Sequence, residues 1–311
     1  MFAKVETLQS PSGAALAWRH QPAGAPQKGV LIVSHGLAEH SARYARFAAF
    51  MAGHGFHVYA HDHRGHGATK AADAPLGRYA HRKGIDKVLS DVRAMRDMAA
   101  ANHPGLPIIL FGHSMGGLIA LNAAENDPKL YDGLAVWNSN FNPGLAGRAA
   151  QAILAVEKML KGSDVPSGLL PKLTFGAWGK SIPDRKTEFD WLSHDAAEVA
   201  KYVQDPLCGF DASVSLWIDL FDLTFAGARP DRLRQLPENL PIHLVGGGED
   251  PATNGAREIA WLARRMEASG LKRVTTVVYP AMRHETLNET ERDGAMRNFA
   301  EWCLAVAERR T

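Results

Sequence analysis

The feature that most constrains this chain is the regular return of short apolar runs with helical stretches between them. Gly29–Val33, Phe56–Ala60, Pro107–Phe111, Gly133–Trp137, Pro241–Val245 and Val274–Val278 all lack Asp, Glu, Lys and Arg. A strand with no polar face leaves nothing for water, so such runs predict buried strands of a parallel sheet covered on both sides. Between them, Ile85, Val88, Leu89, Val92, Met95 and Met98 keep helical spacing, with Asp86, Arg93 and Asp97 on other faces. Further helices are expected over Ala42–Ala52, Met115–Glu125, Ala256–Ala268 and Arg292–Ala307, and Val5–Gln9 with Ala14–His20 reads as a hairpin around Ser10-Pro11-Ser12-Gly13. Strand and helix in alternation predict a doubly wound α/β fold.

One interval breaks the rhythm. After the strand ending near Asn138 the next follows only about 100 residues later, whereas a β–helix–β unit needs about 30. The interval Phe141 to Pro237 lacks a clear strand and holds Trp178, Trp191 and Trp217 beside Leu169, Leu170, Phe175, Phe210 and Phe221. Because the strand–helix pattern resumes afterwards, the expectation is one core domain, 1–140 and 238–311, interrupted by a helical cap at 141–237. A separate second domain is the alternative.

Composition narrows the function classes. With 35 Lys and Arg against 33 Asp and Glu, the chain lacks the basic face of a nucleic-acid binder and the polybasic run that anchors to anionic lipid. Cys208 and Cys303 are the only cysteines, too few for a disulfide framework or a thiolate zinc site. The stretch Met1 to Thr7 carries Lys4 and Glu6 where a signal peptide needs an apolar run, and no segment approaches the roughly 20 apolar residues of a membrane span. A soluble, cytoplasmic protein is the expectation.

Chemistry enters at Gly112-His113-Ser114-Met115-Gly116, which directly follows one apolar run and precedes the helical run Leu118–Ala124. A serine on a tight strand-to-helix turn sits in a strained backbone, and side chains two residues either way would collide, so glycines belong there. The turn also sets Ser114 at a helix N-terminus, where unpaired N–H groups favour developing negative charge. A plain N-cap serine, the alternative, needs no flanking glycines. A serine nucleophile requires a base, and the base a third group to hold its tautomer. Two loops after later apolar runs offer these, Gly246-Gly-Gly-Glu-Asp250 and Tyr279-Pro-Ala-Met-Arg-His284, at the edge where open α/β sheets place ligands. Asp250 is preferred over Glu249 as the acid because Pro251 fixes a turn. His284 is preferred over His113 as the base, since the His113 side chain is expected to point away from Ser114. Met115 N–H is the first oxyanion donor, and Leu37 N–H in His35-Gly36-Leu37-Ala38 the second.

These segments resemble the monoglyceride lipase and lysophospholipase branch of the α/β-hydrolases. The likeness is carried by Gly112-His-Ser-Met-Gly-Gly117, His35-Gly-Leu-Ala-Glu-His40 with Arg43-Tyr44, Asp62-His-Arg-Gly-His-Gly67, Arg283-His284-Glu285 with Asn288-Glu289, and Asp205-Pro-Leu-Cys208. It implies an α/β-hydrolase fold with a mostly parallel sheet flanked by helices and a helical cap. It also implies a cofactor-free serine hydrolase cleaving lipid-type carboxylic esters, monoacylglycerols or lysophospholipids, with the family roles falling on Ser114, Asp250, His284, Leu37 and Met115. Ala38, where a glycine is common, Ala68, where a serine is usual, and the triple-glycine acid loop depart from the pattern. Leu169, Leu170, Phe175, Trp217 and Phe221 are candidates for an acyl site, or equally for the cap's own core. The expected partner is a small ester or lipid, with transient membrane-surface contact through the cap and no nucleic acid. Thioesterase, peptidase or acyltransferase chemistry on the same serine and a non-catalytic ligand-binding scaffold are the alternatives. His61-x-His63-x-x-His66 would suit zinc by spacing, but Gly65 stands where the corresponding metal signature carries an aspartate, so no metal is expected.

Overall fold

Eight strands form one sheet in the computed structural model, which describes residues 2–24 and 26–309. Met1, which opens the N-terminal stretch read above, and the outermost residues of the domain bounds lie outside these. The strands are β1 (Glu6–Gln9), β2 (Ala15–Gln21), β3 (Gly29–Ser34), β4 (Phe56–His61), β5 (Ile108–His113), β6 (Gly133–Trp137), β7 (Ile242–Gly247) and β8 (Val274–Tyr279). Their order is β1-β2-β4-β3-β5-β6-β7-β8; β1, β2 and β4 pair antiparallel and every other pair is parallel.

Period-2 alternation builds the core from both sides. Val30, Ile32, Ile108, Leu110, Leu134, Val136, Ile242 and Leu244 face helices α2 (Gly84–Asn102), α3 (Met115–Asn126) and α10 (Arg257–Ala268). Their neighbours Leu31, Val33, Ile109, Phe111, Ala135, Trp137 and Val245 face α1 (Ala45–Gly53) and α11 (Arg292–Ala307), where Phe47, Met51 and Phe299 close the layer. One expectation is corrected. β8 is not a buried strand: Thr275, Thr276 and Val278 are exposed and the rest half-buried, because it ends the sheet with a neighbour on one side only. Its two threonines are the residues a water-facing edge tolerates.

Between β6 and β7 the described residues hold helices α4 (Gly144–Lys161), α5 (Leu170–Leu173), α6 (Phe175–Ser181), α7 (Ala196–Gln204), α8 (Val214–Gly227) and α9 (Pro230–Leu233), without a strand. α8 packs on α3 and α4, so the inserted segment lies at the carboxyl ends of the parallel strands. No helix among the described residues is long and apolar enough to cross a membrane.

The loop after β4 is pinned by a buried charge. Arg64 is fully buried, with Nε 3.2 Å from Asp91 Oδ2 of α2 and Nη2 3.6 Å from Asp73 Oδ1. The hydroxyls of Ser10 and Ser12 donate to the other Asp91 oxygen. Removing one partner of a buried pair strands the other. Asp91→Ala is expected to destabilise the fold by about 3–5 kcal/mol, seen as a lower urea midpoint at unchanged slope.

Candidate active site

β5 gives way to α3 through a single residue, Ser114, whose backbone lies at φ 54°, ψ −121°. That conformation costs on the order of 1–3 kcal/mol in a non-glycine residue. It sits among closely packed backbone. A Cβ at Gly112 would stand 2.1 Å from the Gly116 carbonyl oxygen, and one at Gly116 would stand 2.0 Å from that of Ser34. A Cβ at Gly117, whose need the sequence reading missed, would lie 2.0 Å from Ser139 Oγ. β6 grips the turn: Ser114 N–H donates to the Trp137 carbonyl at 2.9 Å, and Ser139 Oγ donates to the Ser114 carbonyl at 2.7 Å. The Ser114 side chain caps nothing, so the N-cap alternative does not describe it. Its hydroxyl has no hydrogen-bond partner among the described residues and lines a cavity.

Beside it runs the loop after β3. Gly36 leaves no room for a side chain, since a Cβ there would meet Glu39 Oε1 at 2.7 Å. Neither Leu37 N–H nor Met115 N–H has an acceptor among the described residues. Ala38, which departs from the common glycine, takes positive φ (54°), and its carbonyl receives Gly209 N–H at 2.9 Å and the Tyr202 hydroxyl at 3.0 Å. The inserted segment thus holds this loop directly.

The loops after β7 and β8 meet at Asp250 and His284. Asp250 Oδ2 accepts from His284 Nδ1 at 2.9 Å, Thr253 Oγ1 at 2.8 Å and Asn138 Nδ2 at 3.2 Å, and Oδ1 accepts from Ala252 N–H at 2.9 Å. Burial alone would push this carboxyl up, but His284 and these donors outweigh it and hold it below the usual carboxylate range. Glu249 faces outward to His194 Nε2 at 3.1 Å. With Nδ1 committed to Asp250, His284 Nε2 remains for the cavity that Ser114 also lines. The triple glycine is explained by contact: a Cβ on Gly247 would stand 2.3 Å from the carbonyl oxygens of Met282 and Arg283, and one on Gly248 2.3 Å from that of Pro280.

Buried charges tie these loops together. Arg43 donates to Glu39 Oε2 at 2.7 Å and, through both terminal nitrogens, to Glu285 at 2.6 and 2.7 Å. Glu39 Oε1 accepts Gly36 N–H at 2.6 Å and the Tyr44 hydroxyl at 2.9 Å. Burial would raise the Glu39 carboxyl, yet Arg43 holds it well below the usual range. His113 lies with Nδ1 3.6 Å from Glu39 and Nε2 3.0 Å from the His284 carbonyl oxygen. From the inserted segment, the Leu192 carbonyl accepts Glu285 N–H at 2.7 Å, and the Trp191 ring sits 4.9 Å from that of His284.

The cavity measures ≈ 500 Å³. One face of α4 (Ala146, Ala149, Ala150, Ile153) and one of α8 (Trp217, Leu220, Phe221, Thr224) supply its walls at i, i+3, i+4, i+7 spacing. Leu170, Phe175, Trp217 and Phe221 all line it, as do Leu37 and Met115. Leu169 does not. It precedes α5 and stands 47% exposed while Leu170 turns inward, because successive helical residues point about 100° apart. Asn138, Ser139, Thr253 and Trp191 were missed as site residues; only their proximity to Ser114, Asp250 and His284 in space marks them. His61, His63 and His66 are buried together with His35, the His61–His63 and His35–His63 ring centroids 4.8 and 4.3 Å apart. His63 Nε2 is 3.0 Å from Ser34 Oγ and His66 Nδ1 3.2 Å from the Arg64 carbonyl, and their ring nitrogens form no metal-holding group among the described residues.

A strand-to-helix serine, with a buried aspartate and a histidine on the loops after two later strands of this sheet, defines an α/β-hydrolase. The chain belongs to the family described as Serine aminopeptidase, S33, whose profile matches residues 25–291, and within it to the monoglyceride-lipase-like branch. It is 28% identical over 278 residues to a monoacylglycerol lipase of Mycolicibacterium smegmatis, covering 89% of each chain. It is 31% identical to the monoglyceride lipase of Homo sapiens, over 74% of this chain and 67% of that one. A solved lipase in an open form superposes at TM-score 0.81 with 27% identity, over 98% of this chain and 99% of that one.

Gly247→Ala is expected to force the acid and histidine loops apart by about an ångström, a displacement that costs up to about 10²-fold in rate. The loss should be read in kcat of the folded variant, checked by circular dichroism.

Proposed function

We propose that the chain hydrolyses carboxylic esters of lipid type, monoacylglycerols or lysophospholipids, through an acyl-enzyme on Ser114. The observation that carries this reading is the apolar ≈ 500 Å³ cavity that ends on Ser114 and His284. Segment 141–237 is read as a cap over the core formed by 1–140 and 238–311, with Leu170, Phe175, Trp217 and Phe221 as acyl-binding wall. The relatives named above, monoacylglycerol and monoglyceride lipases, support the same substrate class.

In this mechanism His284 Nε2 takes the Ser114 proton as the hydroxyl oxygen attacks the ester carbonyl, and the N–H groups of Leu37 and Met115 stabilise the oxyanion. The imidazolium, held by Asp250, then gives its proton to the departing alcohol. Water, deprotonated by the same imidazole, attacks the acyl-enzyme and releases the fatty acid. Arg43, Glu39, Glu285 and His113 position the two loops without touching the reacting atoms. Free thiols at Cys208 and Cys303 support a reducing, cytoplasmic setting.

Ser114→Ala is expected to lower ester hydrolysis at least ~10³-fold. On nitrophenyl esters of graded length, kcat/KM is expected to rise by up to about fourfold per methylene, the equivalent of ~0.8 kcal/mol, until the cavity is filled. Full activity of the alanine variant, or preference for the shortest esters, overturns the reading. Parallel arms with monoacylglycerols and lysophospholipids of one acyl chain choose the head group.

The outer surface suits a lipid interface. Met159 and Leu160 near the end of α4 are 77% and 76% exposed, with Lys158 and Lys161 beside them, and Leu145 is 88% exposed. This combination of apolar and basic side chains fits shallow contact with an anionic bilayer. Leu160→Glu is expected to reduce sedimentation with phosphatidylglycerol vesicles several-fold while leaving hydrolysis of a short soluble ester unchanged.

A further inference from the structure

Three histidines that the proposed hydrolase chemistry does not use converge at the opposite edge of the sheet. His20 on β2 pairs across from Tyr59 on β4. His57 precedes Tyr59 by two residues and so projects from the same face. α2 covers that face and ends at His103, its C-cap. Register and helix length therefore bring three imidazoles together at the amino ends of the parallel strands, whereas Ser114, Asp250 and His284 follow carboxyl ends.

The group is close-set. The His57 and His103 rings stack at 3.7 Å, and the His20 and Tyr59 rings at 4.2 Å. His20 Nε2 is 3.4 Å from His57 Nδ1, which also receives Ala23 N–H at 3.2 Å, and the Tyr59 hydroxyl is 2.8 Å from His103 Nε2. One ring nitrogen from each histidine lies within 4.8 Å of the others. His57 is only 4% exposed, and its Nε2 is buried with no hydrogen-bond partner. Because Nδ1 accepts the Ala23 N–H, the neutral ring carries its proton on Nε2, so the nitrogen that faces His20 and can ligate is Nδ1, once the Ala23 N–H gives way. Burial and the neighbouring rings push His20 and His57 down to about 4, and burial lowers His103.

We infer that His20, His57 and His103 form a binding site for a divalent transition-metal ion of the zinc, nickel or copper type. Three imidazoles and no carboxylate select such ions over magnesium or calcium. Zinc–nitrogen bonds of about 2.0–2.1 Å require the ligand atoms to close to roughly 3.3 Å, so binding requires the half-buried His20 and His103 side chains to turn. An ion there joins β2, β4 and the α2–β5 connection, making it a structural clamp remote from Ser114. Among the described residues, the other place where such ligand atoms converge, His40, Asp205 and Cys208, is already closed by a His40 Nε2–Asp205 Oδ2 hydrogen bond at 2.8 Å.

The test uses the full, untagged chain, stripped with chelator and titrated with zinc chloride by calorimetry, with Tm followed in parallel. One equivalent is expected to bind and Tm to rise with zinc concentration. His20→Gln and His103→Gln, both at half-buried positions, are expected to weaken zinc binding at least tenfold while keeping the metal-free Tm near that of the parent. Absence of binding to the parent chain overturns the inference. So does equal affinity in the parent and both variants, which would place the ion elsewhere.

Discussion

The left-handed backbone of Ser114 depends on close contact between peptide groups. The end of β5, the first turn of α3 and the end of β3 approach so nearly that Gly112 and Gly116 have no space for a methyl group. Strain at one residue is affordable only where several neighbours agree to hold it. Here β6 supplies that agreement twice, through the Trp137 carbonyl and the Ser139 hydroxyl. The cavity-facing hydroxyl, the Met115 N–H with no acceptor among the described residues and the axis of α3 all follow from that one fixed turn.

A second constraint brings distant loops into register. Arg43 sits half-buried between Glu39 and Glu285, and its guanidinium fork ties the segment bearing Leu37 to the one bearing His284. A bidentate fork fixes angle as well as distance. Glu289 extends the lattice by accepting Arg283 N–H at 2.8 Å and His194 Nδ1 at 2.9 Å. Buried ionic groups of this kind are weak contributors to stability but costly to break singly, which suits a role in geometry.

Much of this was legible in the residues. Uninterrupted apolar runs gave away β3 to β7, because a strand buried on both faces has no polar alternation to hide, and the same logic misjudged β8, whose threonines marked an edge. Glycines around Ser114 betrayed the turn, since nothing else fits there. Asp250 and His284 were read from their place after later strands, and the structure sets them 2.9 Å apart. Asn138, Ser139 and Trp191 carry no local signal, as their roles exist only once β6 and the inserted segment stand beside the serine. Leu169 and Leu170 show the limit of composition: it marks an apolar pair and leaves open which member faces inward. His20, His57 and His103 lie far apart in sequence and became neighbours only through strand register.

The inserted segment is not uniformly attached. Its second half is stitched to the core loops: Arg283 donates to the Asp190 and Ser193 carbonyls, Arg292 to Asp195, Arg46 to Glu198, and the Ala38 carbonyl accepts from Tyr202 and Gly209. These bonds reach both the histidine loop and the loop of Leu37. That half is therefore fixed to the loops that carry His284 and Leu37. By contrast, α4 and α5 turn Leu145, Met159, Leu160 and Leu173 outward to solvent.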